Sequence, residues 1–308
     1  MTQVLITAAE LAGRLDSGAR TAVLDVRWSL GAPHGLTAYE AGHIPGAVFA
    51  DLETELAVPV QPGSAEEAAG GRHPLPAPDS FQETARRWGI DDGDPVVVYD
   101  DSAGQSAARA WWMLRDAGVE DVRILDGGLA AWTRGGLALE RGREVPALGS
   151  VHLSGPHLPR VDADAAAALP GQGGLLLDAR APERYRGEVE PVDPRPGHIP
   201  GAVSAPTSGN LAPDGTFLPA DALRERYAAL GAVAGRDVAV YCGSGVTAAH
   251  DVAALAIAGI DAALYPGSYS QWSRDPSRAV ATGDEESTGD GETAASASVG
   301  TMSRGARA

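Results

Sequence analysis

The chain repeats itself. Leu24-Asp25-Val26-Arg27 recurs as Leu177-Asp178-Ala179-Arg180, and Gly-His-Ile-Pro-Gly-Ala-Val starting at Gly42 recurs at Gly197. Val-Val-Val-Tyr ending at Tyr99 recurs as Val-Ala-Val-Tyr ending at Tyr241, and Gly127 with Trp132 recurs as Gly267 with Trp272. Four elements in the same order require two copies of one domain. A length of 308 residues lets each copy bury a core of its own.

Within each copy, short β-branched runs alternate with stretches of helical periodicity, which predicts an α/β class with a mainly parallel sheet flanked by helices. Thr7 with Glu10 three residues later is a capping-box start, and Gly18 is placed to end that helix. In the first copy the order VVVYD, loop, QSAARAWWMLRDAG, VRILDG reads strand, loop, helix, strand; the second copy reads VAVYC, TAAHDVAALAIAG, DAALYPG. Residues from about Thr133 to Arg160 are rich in Gly, Pro and Arg without sustained periodicity. We therefore expect a first domain over 1–140, a linker over 141–160, a second domain over 161–280 and an unstructured tail over 281–308, whose composition cannot offset its ordering entropy.

The formal charge of −17 argues against nucleic acid, whose capture rests on clustered basic side chains. All 24 basic residues are arginine. The absence of lysine removes Schiff-base chemistry, pyridoxal phosphate anchoring and the P-loop lysine. Cys242 is the single cysteine, so a disulfide framework and a cysteine zinc site are excluded within the chain, and the histidines show no metal-site spacing. Met1 to Leu15 has no basic segment ahead of an apolar one, and no run is long enough to span a membrane. The expectation is a soluble, cytoplasmic protein that needs no metal or organic cofactor.

In open α/β sheets ligands bind beyond the carboxyl ends of the strands, so the loops after the repeated strands are the place to compare. The first copy continues as Asp100-Asp-Ser-Ala-Gly-Gln-Ser, the second as Cys242-Gly-Ser-Gly-Val-Thr-Ala. Only the second has a nucleophile there. Gly243 and Gly245 let the backbone curl so that N–H groups converge, and the helix start that follows adds positive potential; such a turn stabilises an anionic sulfur. Ser244 and Thr247 add hydroxyl donors.

The tandem arrangement, the repeated GHIPGAV and the segment YCGSGVTA resemble the rhodanese and mercaptopyruvate sulfurtransferase superfamily. The resemblance implies an inactive amino-terminal copy and a carboxyl-terminal copy whose loop, Cys242, Gly243, Ser244, Gly245, Val246 and Thr247, cradles a persulfide. It implies ping-pong transfer of sulfur from a small anionic donor, thiosulfate or 3-mercaptopyruvate, to cyanide, a thiol or a protein. Cys-Gly-Ser-Gly-Val-Thr is the form similar to mercaptopyruvate enzymes. Arg184, before Tyr185, matches the first of two arginines that those enzymes use for the donor carboxylate; the second aligns with Asp193, leaving Arg195 as the substitute. His43 resembles a histidine that assists from the first domain, and Trp28 an aromatic lining the interdomain cleft.

Competing classes fare worse. The phosphatase relatives of the fold need an arginine six residues after the cysteine, where this chain has Ala248. A hydrolase elbow would need its serine at the strand end, whereas Ser106 falls in a predicted helix. A non-catalytic carrier or relay module would keep the fold without using the loop's chemistry. Asp178 and Arg180 recur as Asp25 and Arg27 and are read as serving the fold.

Overall fold

The computed structural model describes residues 3–31 and 34–284. The first copy runs β1 (Leu5–Ile6), α1 (Ala8–Asp16), β2 (Ala22–Asp25), α2 (Gly35–Ala41), β3 (Val48–Phe49), α3 (Ala65–Gly70), α4 (Pro78–Arg87), β4 (Val96–Tyr99), α5 (Ala107–Asp116), β5 (Val122–Leu125) and α6 (Gly128–Arg134). The second runs α7 (Ala163–Ala168), β6 (Leu175–Asp178), α8 (Pro182–Tyr185), β7 (Val203–Ser204), α9 (Ala220–Ala229), β8 (Val238–Tyr241), α10 (Ala248–Ile257), β9 (Ala263–Leu264) and α11 (Ser268–Trp272). The capping box at Thr7 and Glu10 forms as the sequence predicts.

Both sheets are parallel throughout, in the orders β1-β5-β4-β2-β3 and β7-β6-β8-β9. Helices cover both faces of a parallel sheet, which explains why β4 and β8 are buried at every position and read as unbroken apolar runs. The registers coincide: Asp25 pairs with Tyr99 and Asp178 with Tyr241. Where β1 flanks β5, the second sheet has a single parallel bridge, Arg160 to Leu264.

The repeated motifs do the same work twice. Arg27 forms an ion pair with Asp25 at 2.7 Å and donates to the Gly42 carbonyl at 2.8 Å; Arg180 does the same with Asp178 at 2.6 Å and with the Gly197 carbonyl at 2.7 Å. These pairs tie each sheet to its His-Ile-Pro-Gly turn.

The copies meet on α5 and α10, whose small residues Ala107, Ala110, Ala249 and Ala253 are fully buried and let the helices approach closely. One continuous core cluster contains Trp112 of the first copy together with Val246 and Leu255 of the second. Residues 141–160 lie along the first copy, with the N–H groups of Gly149, Val151 and Ser154 bonded to the carbonyls of Arg86, Ile90 and Ala117. Arg160 then pairs with Asp116. Of the segment expected to be an unstructured tail, Ala281 pairs its backbone with His198 and the Gly283 N–H reaches the Arg186 carbonyl. Residues 285–308 lie outside the described residues.

Candidate active site

Strand β8 delivers Cys242 to the carboxyl end of the sheet, and the loop to Thr247 folds back over it. Gly245 adopts a left-handed conformation (φ +77°), and a Cβ placed there would lie 2.3 Å from the Pro266 carbonyl oxygen. That turn aims the Gly245 N–H at the Cys242 sulfur, 3.2 Å away. The start of α11 clasps the loop from behind: the Cys242 N–H donates to Ser268 Oγ at 3.1 Å, and the N–H groups of Tyr269 and Ser270 donate to the carbonyls of Cys242 and Gly243.

The corresponding loop of the first copy shows what this geometry binds. The Asp100 carboxylate accepts five hydrogen bonds of 2.8–3.0 Å, from the N–H groups of Ser102, Gly104, Ser106 and Ala107 and from the Ser106 hydroxyl. Ser106 is thereby committed to holding Asp100. The loop is an anion cradle, and in the first copy the chain's own carboxylate fills it.

A cavity of about 660 Å³ opens over Cys242, lined among others by Trp28, Arg72, Arg184, Thr207 and Ser244. A larger one, about 870 Å³, lies at the amino-terminal end of the second sheet around Arg236–Val238 and Ala258–Ala263, away from any nucleophile. Ligands of parallel sheets sit at the carboxyl end, which favours the smaller cavity as the reaction site.

Two guanidinium groups converge on Gly243, where a Cβ would meet Arg72 Nη2 at 3.3 Å and Arg184 Nη1 at 3.4 Å. The buried carboxylate of Asp193 holds both, accepting from Arg72 at 2.9 Å and from Arg184 at 3.0 Å; Glu190 accepts from Arg184 at 2.7 Å. On another wall Ser244 Oγ lies 2.7 Å from His73 Nδ1, and His73 Nε2 lies 3.4 Å from Glu53. The Trp28 indole N–H donates to the same carboxylate at 2.7 Å. The His73 contact, joined by the Trp28 donor, holds the Glu53 carboxyl below the usual carboxylate range.

Comparison with known proteins matches residues 7–134 and 162–275 each to the Rhodanese-like domain. The chain belongs to the tandem-domain rhodanese sulfurtransferases. It is 52% identical over 286 residues to a Mycobacterium tuberculosis protein named "Putative thiosulfate sulfurtransferase SseB", covering 91% of this chain and 98% of that one. It is 48% identical over 287 residues to a Pseudomonas aeruginosa protein named "Probable 3-mercaptopyruvate sulfurtransferase", with the same coverage. The crystal structure of SseA from Escherichia coli, described as a 3-mercaptopyruvate sulfotransferase, superposes with a TM-score of 0.75 at 34% identity, covering 87% of this chain and all of that one.

In this rhodanese the structure brings together Cys242, Gly243, Ser244, Val246, Thr247, Arg184 and Trp28 around one cavity, with Gly245 behind the sulfur. It does not bring His43 or Arg195 there. His43 is buried in its turn, stacked on Tyr39 and bonded through Nδ1 to the Tyr39 carbonyl at 2.9 Å; its other neighbours are Glu140 and Glu144. His198 repeats the stack on Tyr185, so this histidine shapes the turn in both copies. Arg195 donates to four carbonyls, those of Trp272, Ser273, Asp275 and Arg278, and so closes the end of α11. Arg195→Ala is expected to leave donor KM unchanged while costing about 1–3 kcal/mol of stability, read by urea unfolding.

The residues that sequence reasoning missed are Arg72, His73 and Glu53. They lie between β3 and β4, a stretch containing α3 that has no counterpart between β7 and β8. That extra segment, which ends just before Arg72 and His73, is the signal that was available: material present only in the first copy has no reason to serve the shared fold.

Proposed function

We propose that Cys242 takes sulfur preferentially from 3-mercaptopyruvate and passes it, as a persulfide, to cyanide, a thiol or a protein acceptor. The observation carrying this reading is the anion cradle, filled in one copy by Asp100 and in the other presenting a sulfur to the Gly245 N–H. We take 1–140 as the inactive domain, 161–280 as the catalytic one, and the cytoplasm, where a lone thiol stays reduced, as its compartment.

The Cys242 thiolate attacks the donor sulfur. A sulfur–sulfur bond forms, the carbon–sulfur bond breaks, and the electron pair passes to the departing pyruvate enolate, which takes up the donor's thiol proton. Ser244, bonded to His73 and through it to Glu53, lies in the cavity wall where it can relay that proton. An acceptor nucleophile then takes the outer sulfur and restores the thiolate. With thiosulfate as donor, sulfite would leave instead.

Charge balance favours the monoanionic donor. The loop from Cys242 to Thr247 has no basic side chain, and the guanidinium groups beside it are offset by Asp193 and Glu190. Two anchored guanidinium groups suit one planar carboxylate, whereas a dianion meets no net positive charge. Arg72 of the first domain thus stands where Arg195 was expected.

Arg184→Ala and Arg72→Ala are each expected to raise KM for 3-mercaptopyruvate by roughly tenfold or more, with a smaller effect on thiosulfate. The check is steady-state kinetics with cyanide as acceptor, run beside intact-mass detection of sulfur on Cys242. Equal losses on both donors would reject the carboxylate assignment. Failure of both donors to load sulfur would reject the transfer reading itself.

A further inference from the structure

Arg109 in α5 is completely buried. Its guanidinium donates to backbone carbonyls alone: Leu56 at 3.1 Å, His73 at 3.0 Å and, across the domain boundary, Gly245 of the Cys242 loop at 3.2 Å. Among the described residues no carboxylate comes within ion-pair distance of it. A desolvated cation without an anionic partner is costly, so the position of Arg109 beside the Cys242 loop calls for a reason.

The second copy holds a neutral counterpart. His250 of α10 reaches back through Nε2 to the Ala103 carbonyl at 3.2 Å. Ala103 and Gly245 are each the fourth residue of their loops, counted from Asp100 and Cys242, and both are left-handed, at φ +58° and +77°. Each domain therefore grips the other's loop at the same carbonyl. Burial pushes His250 down to about 4, so it is neutral at physiological pH. Burial also brings Arg109 down to about 10, where it stays charged, and of its charged neighbours Cys242 favours the charged form while Arg160 opposes it. The loop that begins with Asp100 faces a neutral ring; the loop that begins with Cys242 faces a fixed cation.

We propose that Arg109 is the resident counter-charge for the anionic sulfur of Cys242, so that the inactive domain supplies a working part of the active site. The proposal rests on the sulfur-transfer reading. Arg109 touches no donor atom and acts through the Gly245–Val246 peptide, whose carbonyl it polarises, and through its field, which is little screened in a buried site. It is a positioning residue.

The test compares the native enzyme with Arg109→Lys, which keeps the charge, and Arg109→Gln, which keeps donors to the carbonyls without it. The readouts are the rate of Cys242 alkylation by iodoacetamide at neutral pH and the ultraviolet thiolate absorbance, each referred to the same variant carrying Cys242→Ser. The glutamine variant is expected to react roughly tenfold or more slowly and to lose thiolate absorbance, with the lysine variant within about threefold of native. A folded glutamine variant reacting at the native rate would overturn the proposal, and so would a lysine variant as slow as the glutamine one.

Should the glutamine variant fail to fold, melting of Cys242→Asp against Cys242→Asn in the otherwise native chain decides. A fixed cation makes the aspartate form melt higher; an equal or lower Tm overturns the assignment. Sulfur uptake by the native enzyme, followed by intact mass, separates the two levels. A native chain that never loads sulfur removes the transfer reading, while the alkylation and melting comparisons still decide whether Arg109 balances charge on Cys242.

Discussion

Cys242→Ser is expected to abolish sulfur uptake from every donor and to lower turnover by at least about a thousandfold, because the atom that carries the cargo is gone. Fold and stability should change little. The serine oxygen takes the place of a small buried sulfur, and the Gly245 N–H that now faces Sγ at 3.2 Å retains an acceptor. Intact mass after incubation with 3-mercaptopyruvate and with thiosulfate checks the first claim, and thermal melting the second. Residual loading on the serine variant would mean that sulfur resides elsewhere, and the cradle would lose its assigned occupant.

Gly245→Ala is expected to be the most damaging substitution in the loop that leaves the sulfur in place. A side chain at φ +77° is strained by about 1–2 kcal/mol, and here the new carbon would also stand 2.3 Å from the Pro266 carbonyl, so the backbone has to move. Its N–H is the donor to Cys242 Sγ, and a displacement of about 1 Å in such a group costs on the order of a hundredfold in rate. The predicted signature is a fall in kcat with KM for the donor nearly unchanged, since Arg72 and Arg184 are held from Asp193 and not from the loop. A variant that loses affinity and keeps kcat would place the donor's contacts differently from the account given above.

The fold was legible because the chain states it twice. Asp25 with Arg27 and Asp178 with Arg180 recur because each copy must fasten its sheet to the same turn, and the fastening uses residues close in sequence. Cys242 was legible by contrast, as the nucleophile at a strand end where the other copy has Asp100. What escaped was most of what crosses between copies, Trp28 excepted. Arg72, His73 and Arg109 reach the Cys242 loop from more than a hundred residues away, and no local pattern marks a side chain whose partner belongs to another domain. Asp193 shows how the error arose. As a departure from the mercaptopyruvate pattern it signals a missing arginine; in three dimensions it anchors Arg72, which supplies a guanidinium from the other side.

Asp100 also sets a stoichiometry. With its carboxylate saturated by five donors, the first loop has neither a vacancy for an external anion nor a group able to accept sulfur. Two copies of one domain therefore count to one: each chain carries a single sulfur per cycle. The first copy instead lends the loop before α5 and the segment before α4 to the far wall of the reaction chamber, where Ser102, Gln105 and Arg72 line the cavity over Cys242.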